Sequence, residues 1–248
     1  MGIPQVSPAG WMIGCGVLAV CGVVNYFQLE LMSRAMQCGP NGIVWTVTQS
    51  GFIFPFALGI ICFGVPLGFI RALSFILIII SLIMFGLKDN RSGNYGKWKI
   101  MASAAFLVTG ISQTLSNLPS YFAEAAPVAP MWRTAAFALG MMLGCLLAKI
   151  RKIREFSVSV NTLLKTKKVW KLAALGGLSN LVFSFLFLYP GMNILAEIDA
   201  GAIAYPVMVC SCLLIFEFYS VIFLREKRSV IQIAALIFCL LGVIGICL

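Results

Sequence analysis

The sequence predicts an all-α, polytopic membrane protein with eight transmembrane helices, and three observations carry that prediction. Of 248 residues, 61% are hydrophobic and only 10% charged, whereas a soluble domain needs about 25% charged residues to cover its surface. Mean hydropathy is +1.01. Eight apolar runs of roughly 18 to 24 residues follow one another along the chain, each long enough to cross about 30 Å of hydrocarbon as a helix. The short connections leave no room for a separate extramembrane domain, so function is expected within the bilayer.

Span one covers 11–31. It reads as a true crossing rather than a signal peptide, because no basic stretch precedes Trp11 and no small-residue cleavage pattern follows. Asn25 and Gln28 lie three apart on one face, and Glu30 near the end has Arg34 one turn on as its partner. Span two, 42–63, places Thr46, Gln49 and Ser50 on one face and carries Pro55 near its middle, where a proline frees a backbone carbonyl. Span three, 68–87, holds almost nothing polar in mid-membrane. Span four, 99–119, carries Thr109, Gln113 and Asn117 at i, i+4 and i+8, a continuous polar stripe with Ser112 and Ser116 beside it. Span five, 131–150, is apolar, with Trp132 and Arg133 reading as anchors at the membrane interface. Span six, 169–189, has Asn180 and Ser184 four apart and ends at Tyr189-Pro190-Gly191, which is expected to break it. Span seven, 200–223, contains Tyr205, Pro206 in its second turn, and Glu217, whose exposure to lipid would cost on the order of 3 kcal/mol. Span eight, 230–247, is almost wholly apolar.

The formal charge of +10 could suggest nucleic acid, but its placement points to topology. Sixteen of the eighteen basic side chains fall in or beside the odd-numbered connections, and only Arg71 and Arg133 lie on the even side. The positive-inside rule then puts the odd loops in the cytoplasm and both chain ends outside, with anionic lipid headgroups as neighbours. A bacterial cytoplasmic membrane is the expected location. Histidine is absent, which removes Ser-His-Asp triads, histidine-zinc sites and histidine proton relays. Eight of the nine cysteines lie inside apolar runs, where a free thiol behaves as a small hydrophobe. No metal site, cofactor or enzymatic acid-base pair is expected.

Residues 11–87 align without a gap over 171–247 at an offset of 160: Gly16 meets Gly176, Trp45 meets Tyr205, and Phe63 meets Phe223. Three spans and two loops coincide, the signature of an internal repeat. Spans four and five then open the second copy, giving a three-plus-five chain: 1–88 an incomplete first repeat, 89–248 a complete second one. A repeat of five helices is odd, so the two copies are inverted across the membrane. The first copy is expected to lack two helices, an N-terminally shortened arrangement.

The final stretch, GAIAYPVMVCSCLLIFEFYSVIFLREKRSVIQIAALIFCLLGVIGICL, has a long helix ending at Leu224, an acidic loop residue at Glu226 and a Gly-rich closing helix. This resembles the paired ninth and tenth helices of the drug/metabolite transporter superfamily, especially its EamA-type branch of ten helices in two inverted repeats. The first copy departs from the pattern, reading Gly64-Val65-Pro66 where the second has Leu224-Arg225-Glu226. The common exporters of that family keep both ends in the cytoplasm, opposite to the orientation read here, and the heavy positive bias on these loops looks more like the sugar/proton symporter branch.

Polar side chains at membrane depth mark the candidate site, because lipid exposure is costly unless they face a cavity or each other. Singly, such residues serve equally as glue between helices, at roughly 0.6 kcal/mol per bond. The stripe Thr109, Gln113 and Asn117 exceeds what one helix contact needs. The simplest arrangement turns the polar faces of spans one, two, four, six and seven toward a common cavity, and by order these match the cavity-lining helices of the resembled family. The substrate-binding candidates are Asn25, Gln28, Thr46, Gln49, Thr109, Gln113, Asn117, Asn180, Ser184 and Tyr205. Glu217 is either a proton-coupling carboxylate or a group reaching toward the basic loop Arg225–Arg228. The expected function is secondary active transport of a small polar or amphipathic solute by alternating access, driven by a proton or solute gradient, since no Walker motif occurs. The solute and lipid are its expected partners, nucleic acid is not, and a homodimer is compatible with the surface. The competing classes are a non-transporting remnant and, less well supported, a membrane-embedded enzyme.

Overall fold

The computed structural model describes residues 6–39, 41–87, 97–149, 165–222 and 230–246, apart from scattered side chains that include those of Thr46 and Glu217. Among the described residues every regular element is helical. Eight helices follow the eight apolar runs: α1 (Pro8–Cys38), α2 (Asn41–Gln49 continuing into Ile53–Phe63), α3 (Phe69–Leu87), α4 (Lys97–Asn117), α5 (Pro130–Lys149), α6 (Lys167–Glu197), α7 (Ala204–Ile222) and α8 (Val230–Ile246).

Local chemistry explains their ends and irregularities. Ser7 caps α1 by accepting the Gly10 amide at 3.0 Å, with Pro8 in the first turn. The helix outlasts its apolar run by about two turns, and Glu30 and Arg34 form an i, i+4 ion pair where it leaves that run. Pro55 has no N–H to offer the Gly51 carbonyl, and the chain tightens into a 3-10 turn over Ser50–Phe52 just before it. Gly64 closes α2 in the left-handed region at φ 64, with the Val65 amide returning to the Gly59 carbonyl at 3.1 Å. The expected break at Tyr189-Pro190-Gly191 does not occur. A π turn over Ser184–Leu188 absorbs the proline's missing donor, and α6 continues to Glu197.

Inter-helix contacts fix relative directions. Gly14 meets Val128, Gly22 meets Gly140 and Met141, and Tyr26 meets Gly144, so α1 and α5 run parallel. Cys21 reaches Ser112 while Gly39 meets Trp98, so α1 and α4 are antiparallel. Gly51 touches Gly110 and Phe63 stacks on Tyr121 at 4.0 Å, making α2 and α4 parallel. Gly242 packs on Ile78 and Gly245 on Ile70 and Ser74, making α3 and α8 antiparallel. Arg133 reaches Asn193 while Ala138 and Leu181 line one groove, making α5 and α6 antiparallel. All five pairs fit helices that alternate in direction along the chain. Glycines set the closest approach: a methyl on Gly140 would overlap the Ala19 carbonyl oxygen, and one on Gly22 the Phe137 carbonyl oxygen, the small-residue packing by which membrane helices dock.

The outer surface is strongly apolar, with Ile61 79%, Phe69 83% and Leu175 68% exposed among many others, more than a monomer in water tolerates. Pro8–Cys38, Pro130–Ala148 and Lys167–Glu197 are long and apolar enough to cross a membrane by length and composition. Shorter apolar helical stretches, Val47–Phe63, Phe69–Ser81, Gly201–Cys212 and Ile233–Gly242, lie within α2, α3 and α8 and across the start of α7. The first half of α6 stands apart: Leu175, Leu178, Leu181 and Phe183 are exposed, and beyond the helix itself no described residue lies within 4 Å of where a methyl on Gly176 or Gly177 would sit.

Candidate functional site

The polar stripe of α4 is buried between its neighbours. Because α4 packs on α1 along one flank and on α2 along another, the i, i+4 repeat that aligns Thr109, Gln113 and Asn117 places them inside rather than on the rim. All three are buried, as are Ser112 and Ser116. Gln113 Nε2 donates to Gln49 Oε1 at 3.2 Å, tying α4 to α2 at mid-helix. One turn on, Asn117 Nδ2 donates to the Gly201 carbonyl at 3.3 Å and to the Tyr121 hydroxyl at 3.4 Å, reaching the 3-10 turn that opens α7. Between these levels the Ser116 hydroxyl faces the phenols of Tyr189 on α6 and Tyr205 on α7. The Cys21 thiol on α1 donates to the Ser112 carbonyl at 3.1 Å.

This column is not internally satisfied. Among the described residues Gln113 Oε1 and Asn117 Oδ1 are buried without a hydrogen-bond partner, as are Thr48 Oγ1, Thr114 Oγ1 and Arg133 Nε. Each such group costs about 1–3 kcal/mol, and packed helices rarely retain them without a reason. The two amide side chains spring from residues four apart on one helix, about 6 Å along its axis. They can accept hydrogen bonds from hydroxyl or amino groups of a small molecule, and the Tyr205 and Tyr189 phenols can both donate and accept.

Of the sequence candidates, the structure brings together Gln49, Gln113, Asn117 and Tyr205. Thr109 is buried but returns its hydroxyl to the Ala105 carbonyl at 2.7 Å, within its own helix. Gln28 is buried on α1. Asn25 turns away toward α5, with Nδ2 3.6 Å from Met141 Sδ. Ser184 is buried and donates to Asn180 Oδ1 at 3.3 Å, while Asn180 itself is exposed on α6. The side chains of Thr46 and Glu217 lie outside the described residues, as do the loop residues Arg225–Arg228; the Glu217 backbone belongs to α7.

Two members were missed by periodicity, Tyr121 and Tyr189, because tyrosine counts as apolar and both sit where the sequence suggested a span had ended. Arg133 requires a correction. Read as an interface anchor, it is instead 1% exposed, with Nη1 donating to Asn193 Oδ1 at 3.0 Å and Nη2 to the Ala125 carbonyl at 2.6 Å. It folds inward because α1, the loop before α5 and the C-terminal part of α6 close over it; Trp132 beside it is 52% exposed. No family model matches this chain, and no curated protein matches it.

Proposed function

We propose that the protein is a secondary active transporter that binds a small polar or amphipathic solute at the α4 column and exposes it alternately to the two sides of a membrane. The observation that carries this reading is the pair of buried acceptors without a partner among the described residues, Gln113 Oε1 and Asn117 Oδ1, on side chains whose amide nitrogens bond Gln49 of α2 and the turn that opens α7. Helix glue would have used those atoms; a ligand site leaves them for its solute.

The reading includes eight crossings arranged as two inverted copies in a three-plus-five chain, in the manner of the drug/metabolite transporter superfamily, in a bacterial cytoplasmic membrane with both ends outside. Alternating helix direction supports it. So does the antiparallel pair α3 and α8, because helices at equivalent places in inverted repeats must oppose one another. α4, at 21 residues, is about 31 Å long, enough to cross by length, though it is not one of the three described helices that are long and apolar enough together. The offset of 160 adds a third support. Gly14, Leu18, Cys21 and Gly22 are buried on α1, next to α4 and α5. Their counterparts on α6, Ala174, Leu178, Leu181 and Val182, are exposed. The repeat therefore expects two further helices against α6, in the places α4 and α5 hold on α1.

That same exposed face favours a second reading, a non-transporting protein whose cavity lacks one wall. Glu217 separates the two. If it couples transport to protons, Glu217→Gln in proteoliposomes abolishes the dependence of uptake on a pH gradient while uptake down a solute gradient persists. Full retention of pH-gradient dependence removes it as the coupling group, and absence of any flux, after a ligand-stabilisation screen across sugars, amino acids and cationic drugs, favours the second reading.

A further inference from the structure

Arg133 carries the only described charge enclosed by the helices: it is the one charged side chain among the buried described residues. A guanidinium keeps its charge, and burying one without a counter-ion costs several kcal/mol. Its two protein hydrogen bonds go to neutral acceptors, Asn193 Oδ1 and the Ala125 carbonyl, and its Nε has no partner. The groups with dissociable protons that act on it electrostatically are the Tyr189 phenol and the Cys15 thiol, both uncharged at neutral pH by their ordinary values. Among the described carboxylates, Glu30 pairs with Arg34, while Glu124, Glu197 and Asp199 are exposed and none bonds Arg133. Glu217 belongs to α7 twelve residues beyond Tyr205, about 18 Å along the helix.

Arg133 also adjoins the candidate site. Its partner Asn193 stands four residues, one helical turn, beyond Tyr189 on α6, and the Tyr189 phenol is within side-chain hydrogen-bonding reach of Ser116, one residue from Asn117 on α4. The column therefore runs from neutral acceptors at Gln113 and Asn117 to one fixed positive charge at its α5 end.

Resting on the carrier reading above, we propose that the transported solute bears an oxyanion, a carboxylate or phosphate, and that Arg133 is the group that receives it. The free Nε–H supplies a charge-assisted hydrogen bond, and the planar guanidinium matches the geometry of a carboxylate or phosphate edge. The neutral part of the solute then extends along the stripe toward Asn117 and Gln113, where donors on the solute meet the unpartnered amide oxygens. Asn193 and the Ala125 carbonyl hold the guanidinium in place without neutralising it, so specificity for a negative group is built in before the solute arrives.

The test is thermal stabilisation of the full chain in detergent by inorganic phosphate, succinate and the uncharged diamide of succinate, at matched ionic strength set with chloride. Phosphate or succinate is expected to raise the melting temperature and the diamide to leave it unchanged. Arg133→Gln should abolish the response, and Arg133→Lys, which keeps the charge but loses the planar fork, should weaken apparent affinity about tenfold. If Arg133→Gln does not melt cooperatively, the lysine variant decides. An anion response undiminished in either cooperatively melting variant overturns the assignment, as does stabilisation by the diamide equal to that by succinate. Stabilisation by neutral solutes alone, lost in Gln113→Ala, overturns the anion proposal while leaving the carrier reading intact; no stabilisation by any solute overturns both.

Discussion

Gln113→Ala combined with Asn117→Ala is expected to weaken solute binding by about 5- to 150-fold without lowering the thermal stability of the empty protein. The first figure follows from two lost ligand hydrogen bonds at about 0.5–1.5 kcal/mol each, and it would appear as reduced uptake at unchanged expression. The second follows from the orphaned atoms. The double variant loses three bonds, from Gln113 to Gln49 and from Asn117 to Gly201 and Tyr121, but it also removes two buried acceptors that have no partner among the described residues, and the two effects are of similar size. Residues acting only as glue would give the opposite pattern, with a lower melting temperature and unchanged kinetics. Unchanged transport kinetics in the double variant would remove the stripe from the binding site.

Gly140→Leu is expected to prevent accumulation of folded protein. Even the first carbon of the new side chain would overlap the Ala19 carbonyl oxygen, and that obstacle is backbone, which cannot rotate away. Separating α1 from α5 would also strip Gly22 and Gly144 of their contacts with α5 and α1 respectively, so the cost is roughly 4 kcal/mol or more, comparable to the whole stability of many domains. Gly177→Leu is the matched control. Beyond the helix itself no described residue lies within 4 Å of the new methylene there, and the same change in size should leave the melting temperature and detergent-solubilised yield unaltered. Equal loss of folded protein at both positions would mean that the α1–α5 contact is not what the glycines on α5 serve.

Much of the helical frame was legible because periodicity and length act locally. Among the described residues the long helices coincide with the apolar runs to within a few residues, except where tertiary packing or backbone accommodation extends them. Beyond residue 31 the Glu30–Arg34 pair and the packing of Met32 and Ala35 with Trp98 sustain α1 through a polar stretch. Past Pro190 a widened turn and the burial of Met192 carry α6 onward. Neither is visible in a window of hydropathy. The polar stripe was legible for the same reason as the helices, since i, i+4, i+8 spacing is a property of one segment. Which residues from other helices meet it was not. Asn25 and Asn180 have the same chemistry as Asn117, yet one turns to Met141 and the other to the exposed side of α6, because rotation of a helix about its axis is set by packing. Arg133 differs for a related reason: its nearness to the end of span five suggests a route to water, but Asn193, 60 residues on, and the carbonyl of Ala125 in the preceding loop enclose it. The one local hint was the lack of any carboxylate three or four residues away on its helix.

The inverted arrangement makes a prediction about loops that is independent of any solute. Positions 160 residues apart must lie on opposite sides of the membrane, whereas positions two connections apart must share a side. Single cysteines placed in a cysteine-free background at Ser157, Lys227, Leu67 and Asp199 and challenged with an impermeant maleimide in sealed vesicles of known orientation test this directly. Labelling of Ser157→Cys and Lys227→Cys only from the cytoplasmic side, with Leu67→Cys and Asp199→Cys only from outside, is the expected result; reaction of Leu67→Cys and Lys227→Cys from the same side would contradict the inverted repeat and the eight crossings with it.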